Sequence, residues 1–299
     1  MKKLSVVVSL PGQNNYLLEQ ETAVKEAAQR HGVELRLVNA NSDAIAQSQQ
    51  LLEIIQAGSG RPDGILVEPV TNAGLPRVAE AAVSAGIAWV ISNARVDYLE
   101  TLRRNAKVPV FTVTQDHAEV GRIEGRQCGT LLPRGGSVLY LRGPATNFLA
   151  SRRMEGLESV MPANIQMKAL KIQWTADNAY ASVTSWLKLS TVRATDTHLV
   201  AAQNTDFILA ARSAFRDHPD PSERDKWLGL PYIGVGVPSQ VRPLLVDGTL
   251  TAATVTSLTL DTALEMLLQA LKDGSQPPEI TIVPSSSSPS LDELAERAK

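Results

Sequence analysis

At 299 residues the chain exceeds the size at which a single hydrophobic core stops growing, so about two domains are expected. Hydrophobic residues at 43%, charged residues at 20% and a net charge of -2 exclude a generally disordered chain, and they supply no field that would draw the whole molecule to nucleic acid or an anionic membrane. The single cysteine, Cys128, leaves no internal disulfide open and is expected to be a small core residue.

Met1-Lys2-Lys3 followed by LSVVVSL imitates the charged and apolar parts of a signal peptide. The apolar run is short, has no small-residue cleavage site and leads straight into a strand and helix, so it is expected to belong to the fold. As written the chain is expected to work in the cytoplasm, or in the periplasm once a leader has been removed. No segment approaches the roughly 18 apolar residues of a membrane span.

Leu4 to Leu10 reads as a strand buried on both faces. Pro11 and Gly12 break it, Gln13, Asn14 and Asn15 fill the turn, and a helix runs from Tyr16 to a glycine stop at Gly32. Strands at Val33 to Val38, Gly64 to Val67, Ile87 to Ile91 and Val108 to Val113 alternate with helices opened by Ser42 and Asp43 and by about Asn72. Strands alternating with helices of this length predict βαβ units on a parallel sheet.

Near Thr114 the rhythm restarts. Helices are expected over Asp116 to Leu132, Phe148 to Met161, Asn178 to Leu189, Thr205 to Phe215 and Pro238 to Val246. Strands are expected over Ser137 to Leu141, Gln166 to Gln173, His198 to Ala202, Tyr232 to Val235 and Thr251 to Val255. An apolar helix, Leu258 to Lys272, a strand at Ile280 to Val283, a serine-rich connector over Ser285 to Ser290 and a charged helix, Leu291 to Ala298, complete the chain.

The sequence contains no GxxxxGK[ST], GxSxG, HExxH or CxxC, and Gly234-Val235-Gly236 lacks the third glycine of a dinucleotide fingerprint. His31, His117, His198 and His218 have no ligand spacing and read as surface or helix-end residues. No catalytic residue, metal or cofactor is therefore expected, and a basic tract for nucleic acid is missing too.

Hydrogen-bonding side chains do recur where strands end: Gln13, Asn14 and Asn15; Asn93 and Arg95; Asn147 with Arg152 and Arg153; and Gln203, Asn204, Thr205 and Asp206. Tyr16, Phe148 and Trp174 fall in or beside the same loops. Rings stacking on an apolar ligand face while amides grip its edge is how proteins hold a polyol, although each ring also suits a core and each arginine a solvated helix face.

Over essentially its full length the chain resembles the type I periplasmic binding protein superfamily, which includes ribose-binding-like receptors and the effector domains of LacI-type repressors. The resemblance lies in VVVSLPGQNNYLLEQETAVKEAAQRHGVEL, PDGILVEPV, GIAWVIS, VTQDHAEVGRIEGR, RRMEGLESV, HLVAAQNTDFILAARSAF, YIGVGVPSQ and LLVDGTLTAATV. It implies two Rossmann-like α/β lobes with parallel sheets around a sugar-binding cleft, joined by three hinge crossings, and no catalysis. By analogy the crossings fall near Val113, Ser257 and Val283, giving lobes of 1–113 with 258–283 and 114–257 with 284–299.

The resemblance assigns Asn14, Asn15 and Tyr16 to a first binding loop and Asn204 to a cleft asparagine. Departures stand beside these matches. Asn93 and Ala94 replace a usual Asp-Arg, with Arg95 one place later; Ser151 replaces a binding arginine; Gly234 to Val237 lacks an aspartate; and Ser257 replaces a glutamine.

The implied function is a monomeric or weakly dimeric receptor closing on a small neutral sugar or polyol, serving an ABC permease or a sensor. A LacI-type effector domain and an α/β sugar enzyme are the alternatives. With two usual carboxylates missing, affinity is expected to vary little between pH 5 and 8, and Asn204 is expected to serve the ligand with little part in folding.

Overall fold

The computed structural model describes residues 3–71, 75–189 and 191–297. The chain divides into two compact units, Met1–Gln115 with Leu258–Val283 and Asp116–Ser257 with Pro284–Lys299, so it passes between them three times.

Unit one begins with β1 (Ser5–Leu10), α1 (Asn15–His31), β2 (Glu34–Asn39), α2 (Ala44–Gln56), β3 (Gly64–Val67), α3 (Pro76–Ser84), β4 (Ala88–Ser92), α4 (Leu99–Arg104) and β5 (Val110–Gln115). Unit two follows with α5 (His117–Leu131), β6 (Gly136–Arg142), α6 (Phe148–Glu158), β7 (Ile165–Lys171), α7 (Ala176–Leu187), β8 (Leu199–Ala202), α8 (Thr205–Arg216), α9 (Pro221–Leu228), β9 (Tyr232–Gly236), α10 (Pro238–Val246) and β10 (Ala252–Thr256). The chain returns to unit one for α11 (Leu260–Asp273) and β11 (Ile280–Val283), then to unit two for β12 (Ser285–Ser288) and α12 (Leu291–Arg297).

Each unit holds a six-stranded sheet, ordered β11-β5-β4-β3-β1-β2 in one and β12-β10-β9-β8-β6-β7 in the other. All described pairings are parallel except β12 on β10. Central strands read as unbroken apolar runs because helices cover both faces, whereas edge strands β2 and β7 alternate with exposed residues. In β1, Val6 and Val8 join Val90, Phe111, Leu264 and Leu267 on one side of the sheet. Val7 points to the other, with Ile65, Trp89, Leu51 and Val78. That alternation splits one apolar run between two core layers.

In unit two, α5 and α6 meet backbone to backbone. A Cβ on Gly156 would lie 1.9 Å from the Ala118 carbonyl oxygen, and one on Gly121 would lie 1.9 Å from that of Arg153.

Several sequence expectations are corrected. The serine-rich connector is strand β12, with Thr254 opposite Ser287. Its backbone satisfies the open edge of β10, and the Gln127 Nε2 donates to Ser287 Oγ at 2.9 Å and to the Ala253 carbonyl at 3.0 Å. Leu294 of α12 is fully buried behind it. The first division of the units falls after Gln115, because β5 runs two residues past the expected Val113. Helices α4 and α9 were not anticipated, although Asp220 capping α9 with Pro221 at its first position is a legible start signal. The expected helix start at Asn72, the Met1-Lys2 charges and the helix end at Ala298 lie outside the described residues. Cys128 is buried and free.

Gly156→Ala is expected to destabilise unit two by about 1–3 kcal/mol or more, since the added methyl meets a carbonyl rather than a movable side chain. Denaturant unfolding checks this, with a surface glycine substitution in an open position as control.

Candidate functional site

At the exit of β1, Asn14 adopts extended backbone and its Oδ1 accepts from the Leu17 N–H at 2.8 Å, making it the N-cap of α1. Asn204 repeats this at the exit of β8, where its Oδ1 accepts from the Phe207 N–H at 2.8 Å and caps α8. Asn147 does the same for α6 through the Ala150 N–H at 3.1 Å. The recurrence of asparagine at strand ends therefore has a local cause: each satisfies an orphan donor at a helix start. It also leaves the Nδ2 donors of Asn14 and Asn204 without a partner among the described residues. Asn204 consequently serves folding as well, which corrects the sequence expectation.

Beside Asn14, Asn15 is exposed and Tyr16 is half-buried. The Tyr16 hydroxyl accepts from Gln20 Nε2 at 2.7 Å and from Gln115 Nε2 at 3.2 Å. Gln20, fully buried, also donates to Thr259 Oγ1 at 2.7 Å, and its Oε1 accepts the Thr259 and Leu260 N–H groups at 3.1 Å. Thr259 in turn shares a hydrogen bond with Ser92 Oγ at 2.7 Å. The starts of α1 and α11 and the ends of β4 and β5 are thus tied together.

At the exit of β4, Asn93 is buried with φ 57°, a left-handed conformation that asparagine tolerates better than most residues. Its Nδ2 donates to Glu68 Oε1 at 3.0 Å. Glu68 follows β3 directly. Desolvation pushes its carboxyl up to about 7, and the Asn93 hydrogen bond opposes this in part. Arg95 is exposed.

In unit two, Arg153 is buried and donates to the Gln203 carbonyl at 2.6 Å. The Gln203 side chain accepts from the Gly143 N–H at 2.9 Å and donates to the Ala150 carbonyl at 3.0 Å, fastening the exits of β6 and β8 to α6. Behind Arg153, buried Glu124 accepts from the Tyr140 hydroxyl at 3.3 Å. Burial pushes Glu124 up to about 8, with the Arg153 charge and the Tyr140 bond pulling the other way. Glu68 and Glu124 are thus perturbed carboxyls, raised by burial out of the ordinary carboxylate range to about 7 and about 8.

Arg152 is exposed and pairs with Glu155 at 2.5 Å. Phe148 opens α6, half-buried, with its ring edge-on to buried His117, the first residue of α5. Trp174, on the loop after β7, stacks on Phe207 at 5.4 Å between centroids and packs in the core of its unit. Asp206, half-buried, lies in the first turn of α8. The residues missed from sequence are Glu68, Glu124 and the buried glutamines. A charged residue placed between the apolar run Ile65 to Val67 and Pro69 was a signal for Glu68; no local pattern distinguishes the others.

Among the described residues, no group of histidine, cysteine, aspartate and glutamate could hold a metal ion, and no helix is long and apolar enough to cross a membrane. Two parallel α/β units between which the chain passes three times have the architecture of the type I periplasmic binding protein fold. The chain belongs to the periplasmic binding protein domain family, whose model matches residues 6–277.

A xylitol-binding protein of Mycolicibacterium smegmatis is 24% identical over 213 residues, covering 70% of this chain and 57% of that protein, so the chain spans little more than half the relative's length. The structure of a galactofuranose binding protein matches with a TM-score of 0.81 at 20% identity, covering 99% of this chain and 98% of that one. An ABC transporter solute binding protein from Mycobacterium smegmatis with bound glycerol matches with a TM-score of 0.79 at 20% identity, covering 100% and 98%.

Two stability experiments follow from these contacts. Asn204→Ala is expected to cost about 0.5–2 kcal/mol through the lost cap, whereas Asn204→Asp keeps an accepting oxygen and loses little; thermal unfolding separates them. For Glu124, the unfolded carboxyl ionises near 4.5 and the folded one near 8, so the native state holds the extra proton between those values. Its contribution to stability is present below 4.5 and is lost as pH rises toward 8, and Glu124→Gln should flatten that part of the stability-pH curve.

Proposed function

We propose that the protein is a solute-binding receptor for a small neutral sugar or polyol and has no catalytic role. The observation that carries this reading is the pair of capping carboxamides, Asn14 and Asn204, which spend their oxygens on helix starts and retain an N–H donor at strand exits. A hydroxyl lone pair suits such a donor, and neither donor brings a charge that would select an ionic ligand. Asn15, Tyr16 and Asn93 in unit one and Phe148, Trp174 and Asp206 in unit two are the further ligand residues of this reading. Arg95 and Arg152 flank these loops from exposed positions, and Arg153 supports its loop from behind through the Gln203 carbonyl.

Xylitol, galactofuranose and glycerol are the ligands named for the proteins this chain resembles, and all three are neutral and rich in hydroxyls. Delivery to an ABC permease is the output this reading favours. Ligand shifts the equilibrium between arrangements of the two units, which the three chain passages permit without unfolding either sheet.

A thermal-shift screen of pentitols, pentoses, hexoses and inositols, followed by calorimetry and small-angle scattering, tests the reading. A ligand at a hundred times its dissociation constant is expected to add about 2.7 kcal/mol of stability. The radius of gyration is expected to change on binding. Absence of any sugar or polyol ligand, or conversion of a bound one by the purified protein that Asn204→Asp abolishes, would overturn it.

A further inference from the structure

We propose that the Tyr16 hydroxyl couples the ligand loop to the points where the chain leaves and re-enters unit one, so that a ligand resting on the Tyr16 ring stiffens those passages. The inference rests on the receptor reading given above, in which Tyr16 is a ligand residue.

Unit one gives up the chain after Gln115, takes it back at Leu258 and gives it up again after Val283. Residues at all three points belong to one hydrogen-bonded group. Gln20, fully buried in α1, donates from Nε2 to the Tyr16 hydroxyl at 2.7 Å and to Thr259 Oγ1 at 2.7 Å. Its Oε1 accepts the Thr259 and Leu260 N–H groups at 3.1 Å, just after the chain returns. Gln115 Nε2 donates to the same Tyr16 hydroxyl at 3.2 Å, just before the chain first leaves. Val283 is the register partner of Gln115 in the pairing of β11 with β5, so the third passage starts beside the first.

Within this group the freedom to move lies at Tyr16. A carboxamide offers two N–H donors and two acceptor lone pairs, and Gln20 has all four in use. Thr259 shares a further hydrogen bond with Ser92 Oγ at 2.7 Å, and both residues are buried, as are Gln20 and Gln115. Tyr16 is half-buried and follows Asn14 and Asn15 directly. Rotation of its ring to another χ1 well would carry the hydroxyl away from both glutamines.

A ligand stacked on the ring opposes that rotation. It thereby favours the state in which both glutamine bonds are made, and linkage requires the converse, that fixed passages hold the ring ready for ligand. Hinge motion is absorbed by a few dihedral angles in connecting residues. Pinning Gln115 and Thr259 confines the turning to the residues between them and unit two: Asp116 at the first passage, Ser257 and Leu258 at the second. Ring and hydroxyl thus have separate tasks, and phenylalanine at position 16 would keep the first and lose the second.

Hydrogen–deuterium exchange of the full chain, with and without saturating xylitol or the tightest binder from the screen, tests this. The Thr259 and Leu260 N–H groups report on the group directly, because both are bonded to Gln20. In the wild type, ligand is expected to slow exchange several-fold in peptides covering 113–117 and 256–261. Tyr16→Phe is expected to bind several-fold more weakly and, at saturation, to lose the slowing in both peptides while keeping it in the ligand loop, 11–15. Gln115→Leu cuts one arm, so slowing is expected to vanish at 113–117 and persist at 256–261.

Equal slowing in the wild type and Tyr16→Phe would overturn the proposal, and so would a wild type whose passages ignore a saturating ligand; either result leaves the receptor reading intact. Should Tyr16→Phe fail to fold, slowing at 113–117 that survives in Gln115→Leu overturns the coupling by itself. A wild type that binds no sugar or polyol defeats the receptor reading, and the coupling with it.

Discussion

The strand-exit loops of this protein depend on buried glutamine side chains. A carboxamide at the end of a flexible stem can donate and accept at once, so one residue can close the hydrogen-bond requirements of two or three loop segments that no sheet or helix satisfies. Gln20 holds the starts of α1 and α11 together, Gln47 clamps the turn after β3, Gln203 fastens the exits of β6 and β8, and Gln127 joins α5 to β10 and β12. Each of these is almost completely buried. Remove one and one or two main-chain groups lose their partner, a cost of about 1–3 kcal/mol for each orphaned group.

Those clamps give the asparagines their character. A loop that wanders cannot hold a capping residue in extended backbone, and a capping residue that moves cannot present its remaining donor in a defined direction. Asn14 and Asn204 are defined because neighbouring segments are fixed, Asn204 by the adjacent Gln203 and Asn14 by its own helix start, six residues before Gln20. Folding and recognition here use different atoms of one side chain, the oxygen for the helix and the nitrogen for what lies beyond it.

The two raised carboxyls show what the same burial does to an ionisable group. Glu68 and Glu124 lie in different units, but each is pushed up chiefly by desolvation, and each has only partial compensation: an amide for one, a tyrosine hydroxyl and an arginine charge for the other. Neither is a strong stabilising ion pair. Both make the protein respond to proton concentration in a range where exposed carboxylates no longer do.

Much of the architecture was legible in the sequence because it depends on local pattern. Apolar runs of valine and isoleucine bounded by Pro11, Gly12 and Pro69 marked central strands, helical spacing ending at Gly32 marked α1, and the alternation of the two marked parallel sheets. The strand-end amides were visible too, since asparagine before a helix is a short-range signal. What a short-range signal does not carry is which atom of that amide is spent, and here capping took the oxygens. Tertiary structure alone decided the rest. Ser285 to Ser288 form a strand because β10, distant in sequence, offers an open edge, Gln20 leaves an apolar stripe to serve Thr259, and the Glu68 carboxyl is raised because residues from β1, α2 and the β4 exit bury it. Composition sees serine as a linker, glutamine as polar and glutamate as charged; desolvation and hydrogen-bond partners, which exist only once distant segments meet, set what each of them does.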